Sequence, residues 1–148
     1  MPGQHEMNEL ILVDNQMIID YYVTTPASNR LVRRLIPILI DMAKNHLEPI
    51  TYGQMASIIN HNTSRIGYQL GCIIDILEQL SAQIGEHIPS LAGLCVLQST
   101  GLPGGSIDRV IPGYTYLTDL EKQEAVTVLN QEAYDYANRD RVLGCLGL

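Results

Sequence analysis

Hydrophobic and polar positions follow different periods in different parts of the chain, and the first segment has the period of strands. Residues 10–13 and 17–23 form two short apolar runs. Asp14 and Asn15 separate the runs and are suited to a tight turn between antiparallel strands. The pattern therefore predicts an N-terminal β-hairpin within residues 1–27.

A helical period replaces the strand period after Pro26. Apolar residues recur every three or four positions from Leu31 to Met42, which is typical of a helix with one buried face. Ser28 or Asn29 can cap its start, and the helix is expected to end near residue 46. Pro37 is expected to kink it.

Two further helices are predicted next, separated by a short turn. Thr51 and Gln54 form a T-x-x-Q capping box, which predicts a helix from Tyr52 to Ile59. Asn62 can cap a longer helix that Gly85 ends. The apolar face of this longer helix consists of Ile66, Leu70, Ile73, Leu77, Leu80 and Ile84. A short turn between two such helices is typical of a helix-turn-helix unit.

The C-terminal half combines a buried strand, a glycine turn and an acidic helix. Residues 91–97 are apolar enough for a strand, and residues 100–105 contain three glycines. Thr118 and Glu121 form a second capping box that opens a helix to about residue 137. We expect one α+β domain over residues 1–148, with a winged-helix-like core at 30–106 and an acidic helical segment at 118–148.

Composition restricts the class of protein. No apolar run reaches the length of a membrane span, and the first 20 residues lack the order of a secretory signal. The three cysteines are widely spaced among apolar neighbours and the four histidines are scattered, which favours reduced thiols and no metal site. We expect a soluble cytoplasmic protein without a cofactor or a membrane partner.

Charge is distributed unevenly along the chain. Its net value is −7, yet residues 30–71 carry five basic side chains against two acidic ones. The segments on either side are both acidic. Any surface that binds nucleic acid is therefore expected in this middle segment.

Four short sequences in this order resemble a known family. They are TYGQMA at 51–56, SRIG at 64–67, IPSLA at 88–92 and the glycine turn at 99–105. The corresponding sequences T-Y-G-x-[IL]-A, R-A-V-G, I-P-C-H-R-V-V and a glycine-rich turn are typical of the C-terminal domain of alkylguanine-DNA alkyltransferases. The resemblance covers about residues 30–106 and implies a winged-helix domain that binds DNA.

The sequence differs from this family at the positions that carry out alkyl transfer. Ser90 occupies the position of the cysteine that accepts the alkyl group, and Leu91 and Ala92 replace the following His and Arg. Ser64 occupies the position of the arginine that displaces a base, with Arg65 one residue later. A thiolate is required for the transfer. The resemblance therefore implies DNA binding without catalysis, and we expect no enzyme activity.

A second resemblance extends over the whole chain. The TYG and TGLPG sequences and the acidic final helix are similar to small uncharacterised prokaryotic proteins and modules that accompany nucleases in defence systems. This similarity implies an accessory role beside another protein.

Two sets of residues carry the alternative functions. For double-stranded DNA, the leading partner, the expected contacts are Arg30, Arg33, Arg34, Tyr52, Asn62, Thr63, Ser64, Arg65, Tyr68, Gln69, Gly101 and Gly104. The alternative is a protein partner, bound through the acidic C-terminal segment and its tyrosines Tyr134 and Tyr136. Gly67 and Gly71 share one helix face and are interpreted as a close helix-packing contact.

Overall fold

Helices dominate the computed structural model, which describes residues 14–61 and 65–148. Two strands of two residues each form its sheet. The helices and strands are α1 Ile18–Tyr22, α2 Pro26–Lys44, β1 Ile50–Thr51, α3 Tyr52–Ile59, α4 Ile66–Ile84, β2 Cys95–Val96, α5 Asp119–Asp135 and α6 Arg139–Leu146. Within these ranges, 3-10 turns lie at Asn15–Met17, Ala92–Leu94, Gly105–Arg109 and Tyr114–Tyr116.

The N-terminal segment is helical where a strand was predicted. The Asp14 carboxylate accepts the Gln16 N–H and starts a 3-10 turn that continues into α1. Ile18 and Ile19 are fully buried there. An apolar run of seven residues does not by itself distinguish a buried helix from a strand, so the strand at 17–23, and the hairpin that includes it, are wrong. The other predicted strand lies outside the described residues.

Helix α2 begins earlier than its sequence indicated. Pro26 occupies the first helical position, where its missing N–H costs nothing, and Thr25 precedes it in an extended conformation. Ser28 is therefore inside the helix and buried. Asn29, the other predicted cap, donates instead to the Asp20 carboxylate and the Val23 carbonyl.

Local signals for α3 and for the end of α4 are confirmed. The Thr51 hydroxyl accepts the Gln54 N–H at 3.1 Å, and the Gln54 side chain accepts the Thr51 N–H at 2.8 Å. Helix α4 ends at Gly85, whose φ of 67° lies in the left-handed region. Asn62 and the rest of the connection at 62–64 lie outside the described residues.

The sheet is parallel and pairs Ile50 with Cys95 and Thr51 with Val96. Most of the predicted strand at 91–97 is instead a 3-10 turn and a buried loop. After the glycine turn at 100–105 the chain enters another 3-10 turn, and no antiparallel strand pairs with β2 in the described residues. The α+β class is confirmed in its coarse form, and the wing stays a prediction.

The core lies between α1, α2, α3 and α4, and α6 closes one side of it. Leu35, Leu39 and Ile76 are fully buried at its centre. A smaller cluster under α5 contains Ile74, Ala92, Ile107, Tyr114, Val126 and Leu129. No helix in the described ranges has the length and apolar character needed to cross a membrane.

A buried arginine connects the C-terminal helices to this core. Arg139 is 1% exposed and donates to the Pro89 carbonyl at 3.3 and 3.4 Å and to the Ala133 carbonyl at 3.2 Å. Its guanidinium lies 4.8 Å from the centre of the Tyr136 ring. Burial lowers the pKa of Arg139 to about 10. Three hydrogen bonds to backbone carbonyls and one aromatic ring thus stabilise the buried charge of Arg139, as a carboxylate would in an ion pair.

Truncation of this side chain is expected to destabilise the fold. Arg139→Ala leaves a cavity and unsatisfied carbonyls, and should lower the free energy of unfolding by about 3 kcal/mol in urea titration. Arg139→Met keeps the volume without burying a charge, and should cost less. A loss below about 0.5 kcal/mol for Arg139→Ala would show that the carbonyl bonds contribute little.

Candidate nucleic-acid interface

Ser28 joins the first turns of α2 and α4. Its buried hydroxyl accepts Nη2 of Arg65 at 3.3 Å and Nε2 of Gln69 at 3.1 Å. Arg65 and Gln69 are four residues apart and therefore lie on one side of α4. This junction holds the start of α4 beside the basic start of α2.

The three arginines of α2 differ in how they are held. Arg33 donates to the Asp20 carboxylate at 2.9 Å and, through Nε, to Asn29 at 2.8 Å. Arg30 and Arg34 are exposed, and neither forms an ion pair within residues 14–61 and 65–148. The hydrogen bond from Arg33 lowers the pKa of Asp20, so the pair persists at neutral pH and is lost only as the pH falls through that lowered pKa.

Tyr68 is the exposed aromatic residue at the start of α4. Its side chain is 58% exposed, and the Arg65 guanidinium lies 5.5 Å from its ring centre. A hydrogen bond with Cys72 raises the pKa of Tyr68. A flat ring and a cation are thus presented side by side, a pair suited to the sugars and bases of nucleic acid.

Two interpretations of α4 from its sequence are corrected. Gln69 is fully buried and links α2 to α4, so its side chain is not available to read a base edge. A Cβ added at Gly67 would meet open space, whereas one added at Gly71 would lie 3.6 Å from Nη1 of Arg109 and 3.9 Å from Cβ of Ser106, in the 3-10 turn Gly105–Arg109. The two glycines therefore do not form one close helix-packing contact. Asn62, Thr63 and Ser64 lie outside the described residues.

The glycine turn is attached to the start of α3. The Gly104 N–H donates to the Tyr52 hydroxyl at 2.9 Å, and a Cβ at position 104 would collide with that hydroxyl. Gly101 is exposed with a φ of 69°, a conformation that glycine adopts without strain. Gly104 is thus positioned by Tyr52 of α3, whereas the Gly101 N–H donates to the Leu97 carbonyl at 2.8 Å; neither glycine takes part in the Ser28 junction.

A double-mutant cycle tests this attachment. Gly104→Ala should lower the free energy of unfolding by about 2 kcal/mol because the new methyl group collides with the Tyr52 hydroxyl. Tyr52→Phe should cost about 1 kcal/mol for one lost hydrogen bond. The phenylalanine also makes room for the methyl group, so the double variant should be more stable than the sum predicts. Strict additivity in urea titration would contradict the close contact.

Ser90, the residue that the sequence resemblance aligns with an alkyl acceptor, has no thiol. The Ser90 hydroxyl accepts the Ala92 N–H at 3.1 Å. The nearest cysteine along the chain, Cys95, is fully buried in β2, and burial raises its pKa to about 12. Burial also raises the pKa of Cys72. Protonated, enclosed thiols are poor nucleophiles.

Thiol reactivity should follow burial. In native protein at pH 8, iodoacetamide should modify the half-buried Cys145 first, and Cys72 and Cys95 only after unfolding. Intact mass with peptide mapping measures this, and Cys145→Ser is the control that should remove the native adduct. Fast native labelling of Cys95, or its alkylation by an O6-alkylguanine probe, would contradict the noncatalytic interpretation.

The structure shows contacts of charged and aromatic residues that the sequence did not predict. Arg109 donates to the Gly71 carbonyl and pairs with Asp75, so a cation from the acidic half of the chain lies on α4. Tyr134 donates to the Leu47 carbonyl at 2.6 Å and stacks on His46. Tyr136 is half-buried beside Arg139. The two tyrosines predicted as protein contacts are thus used largely within the fold.

Neither a cluster of metal ligands among the described residues nor a match to a known protein indicates a function for this surface. In the described part of the chain, no three His, Cys, Asp or Glu side chains come together in a way that could hold a metal ion. No family model, curated protein or solved structure matches the chain.

Proposed function

We propose that this protein binds duplex DNA without catalysis, through a basic face formed by Arg30, Arg34, Arg65 and Tyr68. The observation that carries the proposal is the Ser28 junction, where Arg65 is held next to the start of α2. Arg34 lies six residues beyond Ser28, or about 9 Å along the helix. Arg30 and Arg34 lie on the exposed side of α2, about 200° and 240° around the helix from Ser28, so the proposed basic face curves around the start of α2 from Arg65 to these two cations.

The proposed contacts differ in their chemistry. Arg30 and Arg34 are exposed cations that bind phosphates and set the orientation of the protein. Arg65 and Tyr68, at the first turn of α4, contact sugars and base edges. The N-terminal end of α4 adds a partial positive charge from the helix dipole. Asn62, Thr63 and Ser64 precede this turn in sequence and remain predicted contacts.

Acidic surroundings restrict the strength of this binding. The net charge of −7 repels DNA wherever the basic face does not touch it. With about three phosphates neutralised, the affinity should fall with salt with a logarithmic slope of about −3. We propose a short, oriented contact, in keeping with the accessory role beside a nuclease that the second resemblance implies.

The absence of catalysis is part of this proposal and has separate support. Ser90 replaces the acceptor thiol of the similar family, and Cys95 is enclosed with a raised pKa. The resemblance in the TYG helix, the following helix and the glycine turn supports the DNA-binding part alone.

Anisotropy of a labelled 20-base-pair random duplex at low and high salt tests the proposal. Arg65→Glu should weaken binding by about tenfold or more, because it reverses a charge in the centre of the face. Arg141→Glu makes the same change in net charge on α6, where Arg141 pairs with Glu86, and should have a small effect. Asp20→Asn frees the Arg33 charge and should tighten binding.

Two results would contradict the basic face. Arg65→Glu could keep the affinity and salt slope of the native protein, or Arg141→Glu could weaken binding as much. Circular dichroism of each variant verifies that the fold is retained.

A further inference from the structure

A small cleft separates α4 from α5 on the acidic side of the molecule. Its volume is about 210 Å³ and its floor is apolar. Ile74 and Leu77 of α4, Ile88 and Leu129 form that floor. The cleft thus accepts the aliphatic part of a side chain, and it belongs to neither group of predicted DNA contacts.

Carboxylates border the cleft on both sides. Glu78 projects from α4 and Glu132 from α5, both exposed, and neither pairs with a cation anywhere in the described ranges. Arg109 also lines the cleft, but its guanidinium is bound to Asp75 and to the Gly71 carbonyl. The available charge at the rim is therefore negative.

The outer face of α5 continues this surface. Leu120 is 65% and Val128 61% exposed, and they are eight positions apart, so they lie on one face of the helix together with Glu124 and Glu132. Lys122, the basic residue of α5, is turned onto the Tyr114 ring at 5.3 Å. This face thus presents large apolar groups among uncompensated carboxylates.

We propose that the cleft and the outer face of α5 bind a basic amphipathic helix of a partner protein. A lysine or arginine of the partner lays its aliphatic stem on the apolar floor and its charged head between Glu78 and Glu132. Apolar residues on the same face of the partner pack on Leu120 and Val128. Charge complementarity favours this occupant, because the carboxylates at the rim repel phosphates and a second copy of this chain carries a net charge of −7 and is repelled as a whole.

The proposed partner surface is separate from the basic face. Arg65 and Glu78 are 13 positions apart on α4, or about 20 Å along its axis. Variants at one surface therefore leave the other intact, and each can be tested independently.

A designed peptide is the probe for this surface. It is a fluorescein-labelled 15-residue peptide of Leu and Lys whose leucines lie on one helical face, and a scrambled isomer has the same charge without that face. The native protein should bind the amphipathic peptide at least about tenfold more tightly than the scrambled isomer. The double variant Glu78→Gln with Glu132→Gln should lose about tenfold in affinity.

A second pair of carboxylates provides the matched control. Asp41→Asn with Asp140→Asn changes the net charge by the same amount at exposed positions outside the cleft and the outer face of α5, and should change affinity by less than about twofold. Leu120→Ser with Val128→Ser alters only exposed side chains, so the fold should persist while peptide binding weakens.

Several outcomes would overturn the proposal. Equal binding of both peptides would show a general attraction to positive charge, and equal losses in both carboxylate pairs would show the same. Unchanged binding by the Leu120 and Val128 variant would exclude the face of α5. Arg65→Glu should leave peptide binding intact, so a failure here is distinguishable from a failure of DNA binding.

Discussion

The buried guanidinium of Arg139 is the constraint on which the arrangement of the C-terminal half depends. It binds the carbonyl of Pro89, just before the buried segment that leads to β2, and the carbonyl of Ala133, in the last turns of α5. Since no carboxylate in residues 14–61 and 65–148 pairs with it, the charge depends on these carbonyls and on the Tyr136 ring. The contact thus joins the start of α6 and the last turns of α5 to the segment that leads from α4 to β2.

Short sequence signals predicted the helix ends correctly where interactions between neighbouring residues determine those ends. The two capping boxes and Gly85 each act within a few residues, and the structure has the helix boundaries that they indicated. The N-terminal run failed because Met17 and Tyr21, which are exposed in the structure, are apolar like the buried Ile18 and Ile19, so the sequence does not show which face of the segment is buried. The strand predicted at residues 91–97 is mostly a 3-10 turn and a buried loop. An apolar run in the sequence indicates that a segment is buried, but not which backbone conformation it adopts.

The candidate interface could be predicted only in part for a similar reason. Charge along the sequence indicated the arginines, but not that Asp20 pairs with Arg33. Gln69 and Arg65 looked alike as polar residues, yet Gln69 turns inward to a hydroxyl 41 positions earlier. Such long-range pairs set the exposure of each side chain and leave no periodic signal. The inward Tyr134 and the cleft between α4 and α5 depend on the same kind of distant contact.

The short parallel sheet has a consequence for the order of folding. Its two residue pairs join position 50 to position 95, with α3 and α4 between them. Closing so long a loop costs conformational entropy that two pairs of hydrogen-bonded residues recover only in part. The capped helices can form from local contacts beforehand, so the sheet assembles late, after α3 and α4 have shortened the distance between its strands.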